Sequence, residues 1–203
     1  MIIFPKKKYF NGSEFFKDYV NSKKKVLENL DLDRILVITN FLEKIIKKKK
    51  NIFVCGNGGS ASVSNHFLCD FNKGIKSSSN HILKPKIISL NNSMETITAI
   101  SNDISFQKVY SYQLENYALP GDVLITFSCS GKSKNIDDVI HYAKKKKLKI
   151  ISFVGFKNKN KNKNIDYFLS VKIKNYGICE DIFQGIMHMM AQHIRQKFSL
   201  KKL

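Results

Sequence analysis

Four groups of residues in this chain have the types and spacings that do chemistry. The first is Gly56-Asn57-Gly58-Gly59-Ser60, a glycine-rich turn directly after the apolar Phe53 and Val54. Glycines let bare backbone approach a ligand, and the amides that open a following helix can bind an anion. The second is Ser128-Cys129-Ser130-Gly131-Lys132-Ser133, three hydroxyls, a glycine and a lysine after another apolar run. One such loop reads equally well as a tight β-to-α turn capped by serine. Two at equivalent strand ends point to a bound anion. Neither matches GxxxxGKS/T or GxGxxG, which argues for a single phosphate on a small molecule rather than a nucleoside triphosphate or dinucleotide. The third group is His66 and Asp70, four residues apart on the helix that the glycine turn opens, a spacing that stacks side chains on one face. The fourth is Glu180 and His188 in EDIFQGIMHMMAQHIRQ, the histidine set among Ile186, Met187, Met189 and Met190. A histidine and methionines in such a stretch are commonly core residues. Eight residues of helix rise about 12 Å, so Glu180 and His188 can share a ligand only by leaning inward or across a subunit boundary.

The elements that must position these groups follow from hydrophobic spacing. Residues 11–50 carry a helical period and predict two helices with a break near Asp31 to Asp33. From there on the chain reads as short Ile- and Val-rich runs, at 51–55, 86–90, 122–128, 148–155 and 165–171, alternating with helices at 60–73, 93–100, 105–117, 133–146 and 178–198. That alternation predicts a parallel sheet covered on both faces. Pro120-Gly121 marks the turn into the third strand, and 77–80 and 157–164 read as surface loops. The expected organisation is an N-terminal helical extension over 1–50 and an α/β domain over 51–203, together one structural unit. In such a sheet ligands bind beyond the carboxyl ends of the strands, where the two candidate loops fall.

Composition narrows the class. The chain has 203 residues, 43% of them hydrophobic and 25% charged, enough for a substantial core in a soluble globular domain. The opening MIIFPKKKYFNG lacks the long apolar core and cleavage site of a signal peptide, and no window approaches the ~20 apolar residues of a membrane span. Four cysteines in separate segments, with no CxxC pair, fit a reducing cytoplasm. The net charge of +19 invites a nucleic-acid reading. Against it, Arg34 and Arg195 are the only arginines, and lysine, asparagine and isoleucine rise together as a preference for A- and T-rich codons would make them. The lysine runs read as solvated faces, with neither nucleic acid nor membrane as partner.

Taken together, CGNGGSASVSNHF (55–67), ISND (100–103) and PGDVLITFSCSGKSKNI (120–136) resemble the sugar isomerase domain, and within it the phosphoheptose isomerases, over roughly residues 11–198. The resemblance implies a flavodoxin-like, doubly wound parallel five-stranded sheet. It implies a cytoplasmic homotetramer with active sites between subunits, one Zn2+ per site, and isomerisation of sedoheptulose 7-phosphate to D-glycero-D-manno-heptose 7-phosphate, a precursor of lipopolysaccharide and other surface heptoses. By the same resemblance Asn57, Gly58 and Gly59 form the first substrate loop and Asn102 and Asp103 the middle one. Ser128, Cys129, Ser130 and Ser133 form the phosphate loop, with Cys129 where threonine is usual. The implied metal ligands are His66, Asp70, Glu180 and His188. Asp70 stands where glutamate is usual, Glu180 where a substrate- and metal-binding glutamine is usual, and Phe183 where another histidine is frequent. Each replacement ligand is an oxygen donor that zinc accepts.

Aldose–ketose isomerisation moves a proton between adjacent carbons through an enediolate, which needs a base, an acid for the oxygens and something to hold developing negative charge. Asp70 and His188 are the catalytic candidates, one for the carbon-bound proton and the other for oxygen. Two rival readings keep the same fold: an isomerase of a different sugar phosphate, and a non-catalytic sugar-phosphate-binding protein.

Overall fold

The computed structural model describes residues 1–156 and 162–199. In chain order the elements are β1 (Ile2–Ile3), α1 (Gly12–Glu28), α2 (Leu32–Lys47), β2 (Asn51–Gly56), α3 (Gly59–Cys69), a π-helical stretch (Asp70–Ile75) running into α4 (Lys76–Ser78), β3 (Lys86–Ser89) and α5 (Met94–Asp103). A 3-10 turn (Phe106–Lys108) and α6 (Ser111–Tyr117) follow, then β4 (Val123–Ser128), α7 (Lys134–Lys145), β5 (Lys149–Val154), β6 (Tyr167–Ser170), β7 (Ile173–Lys174) and α8 (Tyr176–Phe198).

β2 to β6 form one five-stranded sheet in the order β3-β2-β4-β5-β6, every pair parallel. This is the flavodoxin-like order, and the expected α/β fold class holds. The strands are buried on both faces, and alternate residues serve different cores. Ile52, Val54, Val123, Ile125, Phe127, Ile151 and Phe153 face a core shared with α1, α2, α3 and α8. Phe53, Cys55, Leu124 and Ile150 face a second core with Ile136, Val139 and Ile140 of α7. α1 and α2 contribute Val26, Ile35, Ile38 and Leu42 to the first core, so the helical pair packs directly on the sheet domain.

Local chemistry sets the helix starts. Asn11 and Asp31 cap α1 and α2 by accepting the Ser13 and Arg34 amides at 2.8 Å, and Asn175 caps α8 by accepting the Ile178 amide at 2.8 Å. The break between the first two helices falls at residues 29–31, just before the expected Asp31 to Asp33. Gly121 takes φ +86 in the turn before β4, as a glycine can.

Three features depart from the sequence expectations. The helix expected over 60–73 continues to Ser78 with its backbone widened into a π turn that begins at Asp70. The helix expected over 105–117 is interrupted, because Tyr110 turns inward to bond the chain near Gly56. β1 pairs with β7 in a small second sheet, anchored by the buried Phe4 against Phe15 and Tyr19. Residues 77–80 lie at the end of α4 and the turn after it. Of the expected 157–164 loop, residues 157–161 lie outside the described residues, and 162–164 form part of a turn before β6. No helix among the described residues is long and apolar enough to cross a membrane.

Candidate active site

The sheet changes winding direction between β2 and β4. The chain leaves β2 into α3 on one face and leaves β4 into α7 on the other, which opens a crevice at the carboxyl ends of these two strands. The two candidate loops bound it. A cavity of about 100 Å³ there is lined by Asn57 and Ser60 from the first loop, Ser128, Cys129, Ser130 and Ser133 from the second, and Tyr176 and Glu180 from the first turns of α8.

Each loop is held by its own backbone demands. A side chain at Gly56 would put its Cβ 2.7 Å from Ser60 Cβ, so only glycine fits. Gly58 has φ +56 and ψ −126, a conformation that L side chains avoid, and it stands at the cap of α3. In the second loop Ser128 Oγ accepts the Gly131 amide at 3.1 Å and Ser130 Oγ accepts the Lys132 amide at 3.2 Å. Ser133 precedes α7 but its hydroxyl makes no capping bond. The hydroxyl therefore lines the crevice beside the amides that open α7, a donor set suited to an anion.

Residues that the sequence reading did not single out fix the first loop. The Asn91 side chain accepts the Gly56 amide at 3.1 Å and donates to the Gly56 carbonyl at 2.9 Å and to the Tyr110 hydroxyl at 2.9 Å. Tyr110 donates to the Gly56 carbonyl at 2.5 Å, within 2.9 Å of Asn57 Oδ1. Burial pushes the Tyr110 phenol up, which keeps its proton in place for these bonds. Asn135 of α7 exchanges two amide bonds with Asn57, at 2.8 and 2.9 Å, and ties the loops together. The one signal in the sequence was that Asn91 closely follows a strand end.

α3 and α8 run side by side from the crevice. At their heads the Glu180 carboxylate lies over Gly59, in the space a side chain there would fill, with Cys129 Sγ 3.8 Å from its Oε1. Burial raises the Glu180 pKa, and so does the charge of Asp181, while the Cys129 thiol and the Ser60 amide pull the other way. About two turns further along, His66 Nε2 lies 3.3 Å from Asp70 Oδ1 and His188 Nε2 lies 3.6 Å from Asp70 Oδ2. The two imidazole rings meet edge-on with centroids 5.0 Å apart. One donor atom from each of His66, Asp70 and His188 falls within 4.8 Å of the others. Two imidazoles and a carboxylate are a donor set that a divalent metal such as zinc accepts.

Within one chain, then, His66, Asp70 and His188 come together, and Glu180 does not join them. Its carboxylate stays at the crevice, because the eight-residue separation from His188 is not closed by inward-leaning side chains. Gln184 stands at the cluster instead, its amide nitrogen 2.7 Å from His66 Nδ1 and 3.0 Å from His188 Nε2. Asn102 and Asp103 sit exposed at the end of α5, away from the crevice lining, with Asn102 donating to Asp103 at 2.8 Å. Phe183 is fully buried against Phe127 and Phe153.

This sheet, its paired loops and the imidazole–carboxylate cluster define a sugar isomerase (SIS) domain protein, and the family model for the SIS domain matches residues 14–155. The chain belongs to this family and, within it, to the phosphoheptose isomerases. It is 31% identical to the probable phosphoheptose isomerase of Thermoplasma acidophilum over 90% of this chain and 98% of that one. It is 28% identical to the phosphoheptose isomerase of Helicobacter pylori strain 26695 over 92% and 95%. The solved phosphoheptose isomerase of Neisseria gonorrhoeae superposes with a TM-score of 0.77 at 22% identity, covering 91% of this chain and 96% of that one, a likeness of fold.

Proposed function

We propose that this protein is an aldose–ketose isomerase that converts sedoheptulose 7-phosphate to D-glycero-D-manno-heptose 7-phosphate, and that it acts in the cytoplasm as a homotetramer supplying surface heptose synthesis. The relatives' names support the substrate. The observation that carries the reading is the placement of an acid–base cluster on α3 and α8 about two turns from the anion-suited crevice at which both helices begin. Two turns of helix rise about 11 Å. An extended seven-carbon chain with a terminal phosphate measures about 10 Å from its carbonyl end to phosphorus. A phosphate in the crevice therefore puts the reacting carbons at the level of the cluster.

In this reading Ser128, Ser130 and Ser133, with the Cys129 backbone and the α7 amides, hold the phosphate, and Asn57, Gly58 and Gly59 pass the chain toward the cluster. Phosphate binding far from the reacting carbons holds them in register. Asp70 and His188 share the proton transfers, one at carbon and the other at oxygen. Glu180, beside the crevice, contacts substrate, and Asn102 and Asp103 are offered from the surface toward a neighbouring subunit. Zinc fits the donors of His66, Asp70 and His188, and when bound it supplies a Lewis acid for the carbonyl oxygen.

The test is NMR product analysis after incubation with sedoheptulose 7-phosphate and zinc, for the wild type, Asp70→Ala and His188→Ala. The wild type should make the aldose, and each variant should lose at least ~10²-fold in turnover while staying folded. No product from the wild type would remove the substrate; full turnover in both variants would remove their roles.

A further inference from the structure

We infer that Asn72 is a positioning residue of this site: through a π turn it holds the Asp70 carboxylate between the imidazoles of His66 and His188. The inference rests on the proposed catalytic role of Asp70. Its own support is in the backbone. α3 is regular as far as Asp70, whose amide still donates to the His66 carbonyl. From Asp70 to Ile75 the helix is π, the one such stretch among the described residues, so the wide turn begins at the residue that carries the carboxylate. π turns are rare and collect at functional sites. The width has a geometric effect. In an α-helix residues four apart drift by about 40° per repeat. A turn closed one residue later takes that drift back. Val63, Phe67, Phe71 and Ile75 therefore stay on one buried line, with Phe71 stacked on Phe67 at 4.0 Å between centroids. The adjoining line of His66, Asp70 and Gly74 stays against α8, where a Cβ on Gly74 would lie 3.8 Å from Arg195.

A partner outside the helix holds the wide turn open. The Asn72 side chain donates to the Ile87 carbonyl and accepts the Ile87 amide, both at 2.9 Å. Ile87 lies in β3, at the edge of the sheet, so the Asn72 amide stands where a further strand would pair. This two-point grip fixes the backbone two residues after Asp70. Asp70 has a single methylene between backbone and carboxyl, yet its oxygens reach both helices, 3.3 Å from His66 Nε2 and 3.6 Å from His188 Nε2. So short a side chain, confined to staggered rotamers, cannot follow a displaced backbone and keep both contacts.

Kinetics and imidazole NMR on the full chain test this. Asn72→Ala, checked for folding by circular dichroism, should lose at least ~10-fold in kcat for sedoheptulose 7-phosphate with KM within about twofold. The crevice is untouched, and a misplacement of about 1 Å at the reacting groups can cost ~10²-fold. Asn72→Asp keeps the shape and the bond from the Ile87 amide; it serves if the alanine variant does not fold, and should show the same split to a smaller degree. Asn65→Ala is the control. It removes another tie from α3 to β3, the 2.6 Å bond from Ser89, without touching the turn, and should leave kcat unchanged. Independently of turnover, the His66 and His188 imidazole signals of Asn72→Ala at fixed pH should move toward their positions in Asp70→Ala. An unchanged kcat, a loss carried by KM alone, or imidazole signals that stay at their wild-type positions would overturn the assignment. If the wild type makes no aldose, the proposed function falls, and the imidazole signals alone decide the role of Asn72.

Discussion

Replacing Asn91 by alanine should damage the anion crevice from a distance, and the structure sets the size of the effect. Asn91 touches none of the crevice directly but makes three bonds that hold Gly56 and Tyr110. The Gly56 carbonyl keeps its bond from Tyr110 in the variant, so its loss is small. The Gly56 amide loses its side-chain partner in a buried position, at a cost of about 1–3 kcal/mol, and the other two bonds add about 1 kcal/mol between them. The sum is about 2–4 kcal/mol, a fall of the order of 10 °C in Tm for a chain of this size. Denaturation at one fixed protein concentration measures it, which keeps any assembly equilibrium constant. Loosening the first loop should also raise KM for the sugar phosphate more than it lowers kcat, because Asn91 is a positioning residue. Asn91→Asp sharpens the test. Its carboxylate can accept the Gly56 amide but sets a second, charged oxygen against the Gly56 carbonyl oxygen where the amide nitrogen stood, and that repulsion in a buried place offsets the restored bond, so at neutral pH it should rescue little of the loss. An alanine variant within ~0.5 kcal/mol of wild type with unchanged KM would refute the account, since a buried orphaned amide cannot be that cheap.

Two further outcomes follow from the same site. Because burial raises the folded-state pKa of Glu180, the proton binds the folded chain more tightly than the unfolded one; this stabilisation is complete below the ordinary carboxylate value and lost as pH rises through the raised one. The Tm of Glu180→Gln minus that of wild type should therefore grow as pH rises from about 4.5, and a difference flat with pH would show the carboxyl to be unperturbed. A five-carbon ketose 5-phosphate, shorter by two carbons or about 2.5 Å, should bind at the crevice but leave its carbonyl short of Asp70 and His188. Its kcat/KM should fall at least ~10²-fold below that of the seven-carbon substrate in the same NMR assay, and equal values would undo the length argument.

The fold was legible because its signals are local. Runs such as residues 122–128 are short, branched and apolar, and a strand buried on both faces needs nothing more to announce itself. Both crevice loops were legible for the same reason, since Gly58 with positive φ and the hydroxyls of 128–133 sit consecutively in the chain. The partners of those loops were not, because they arrive through pairing. Asn91 reaches Gly56 only because β3 lies beside β2 in parallel register, Val54 opposite Ser89, and a non-local pairing leaves no local trace. Tyr110 illustrates the cost of reading period alone: a helical spacing over 105–117 gives way where one buried hydroxyl bond outweighs a turn of helix.

The site's second half turns on helix register in the same way. Ser60 and Glu180 meet at the heads of α3 and α8, His66 meets Gln184 a turn or so on, and Asp70 meets His188 beyond that. Parallel helices thus advance together, and only residues at matching heights can share a ligand. The family resemblance made Glu180 and His188 co-ligands, whereas within one chain Glu180 stands at the crevice and Gln184 stands beside the imidazoles. The i, i+4 relation of Gln184 to His188 was present in the sequence all along. It gained meaning only when α3 supplied His66 at the same level. The distance from phosphate crevice to proton-moving cluster is consequently set by how far the cluster lies along α3 and α8 from the loop after β4, which makes substrate length a property of the scaffold.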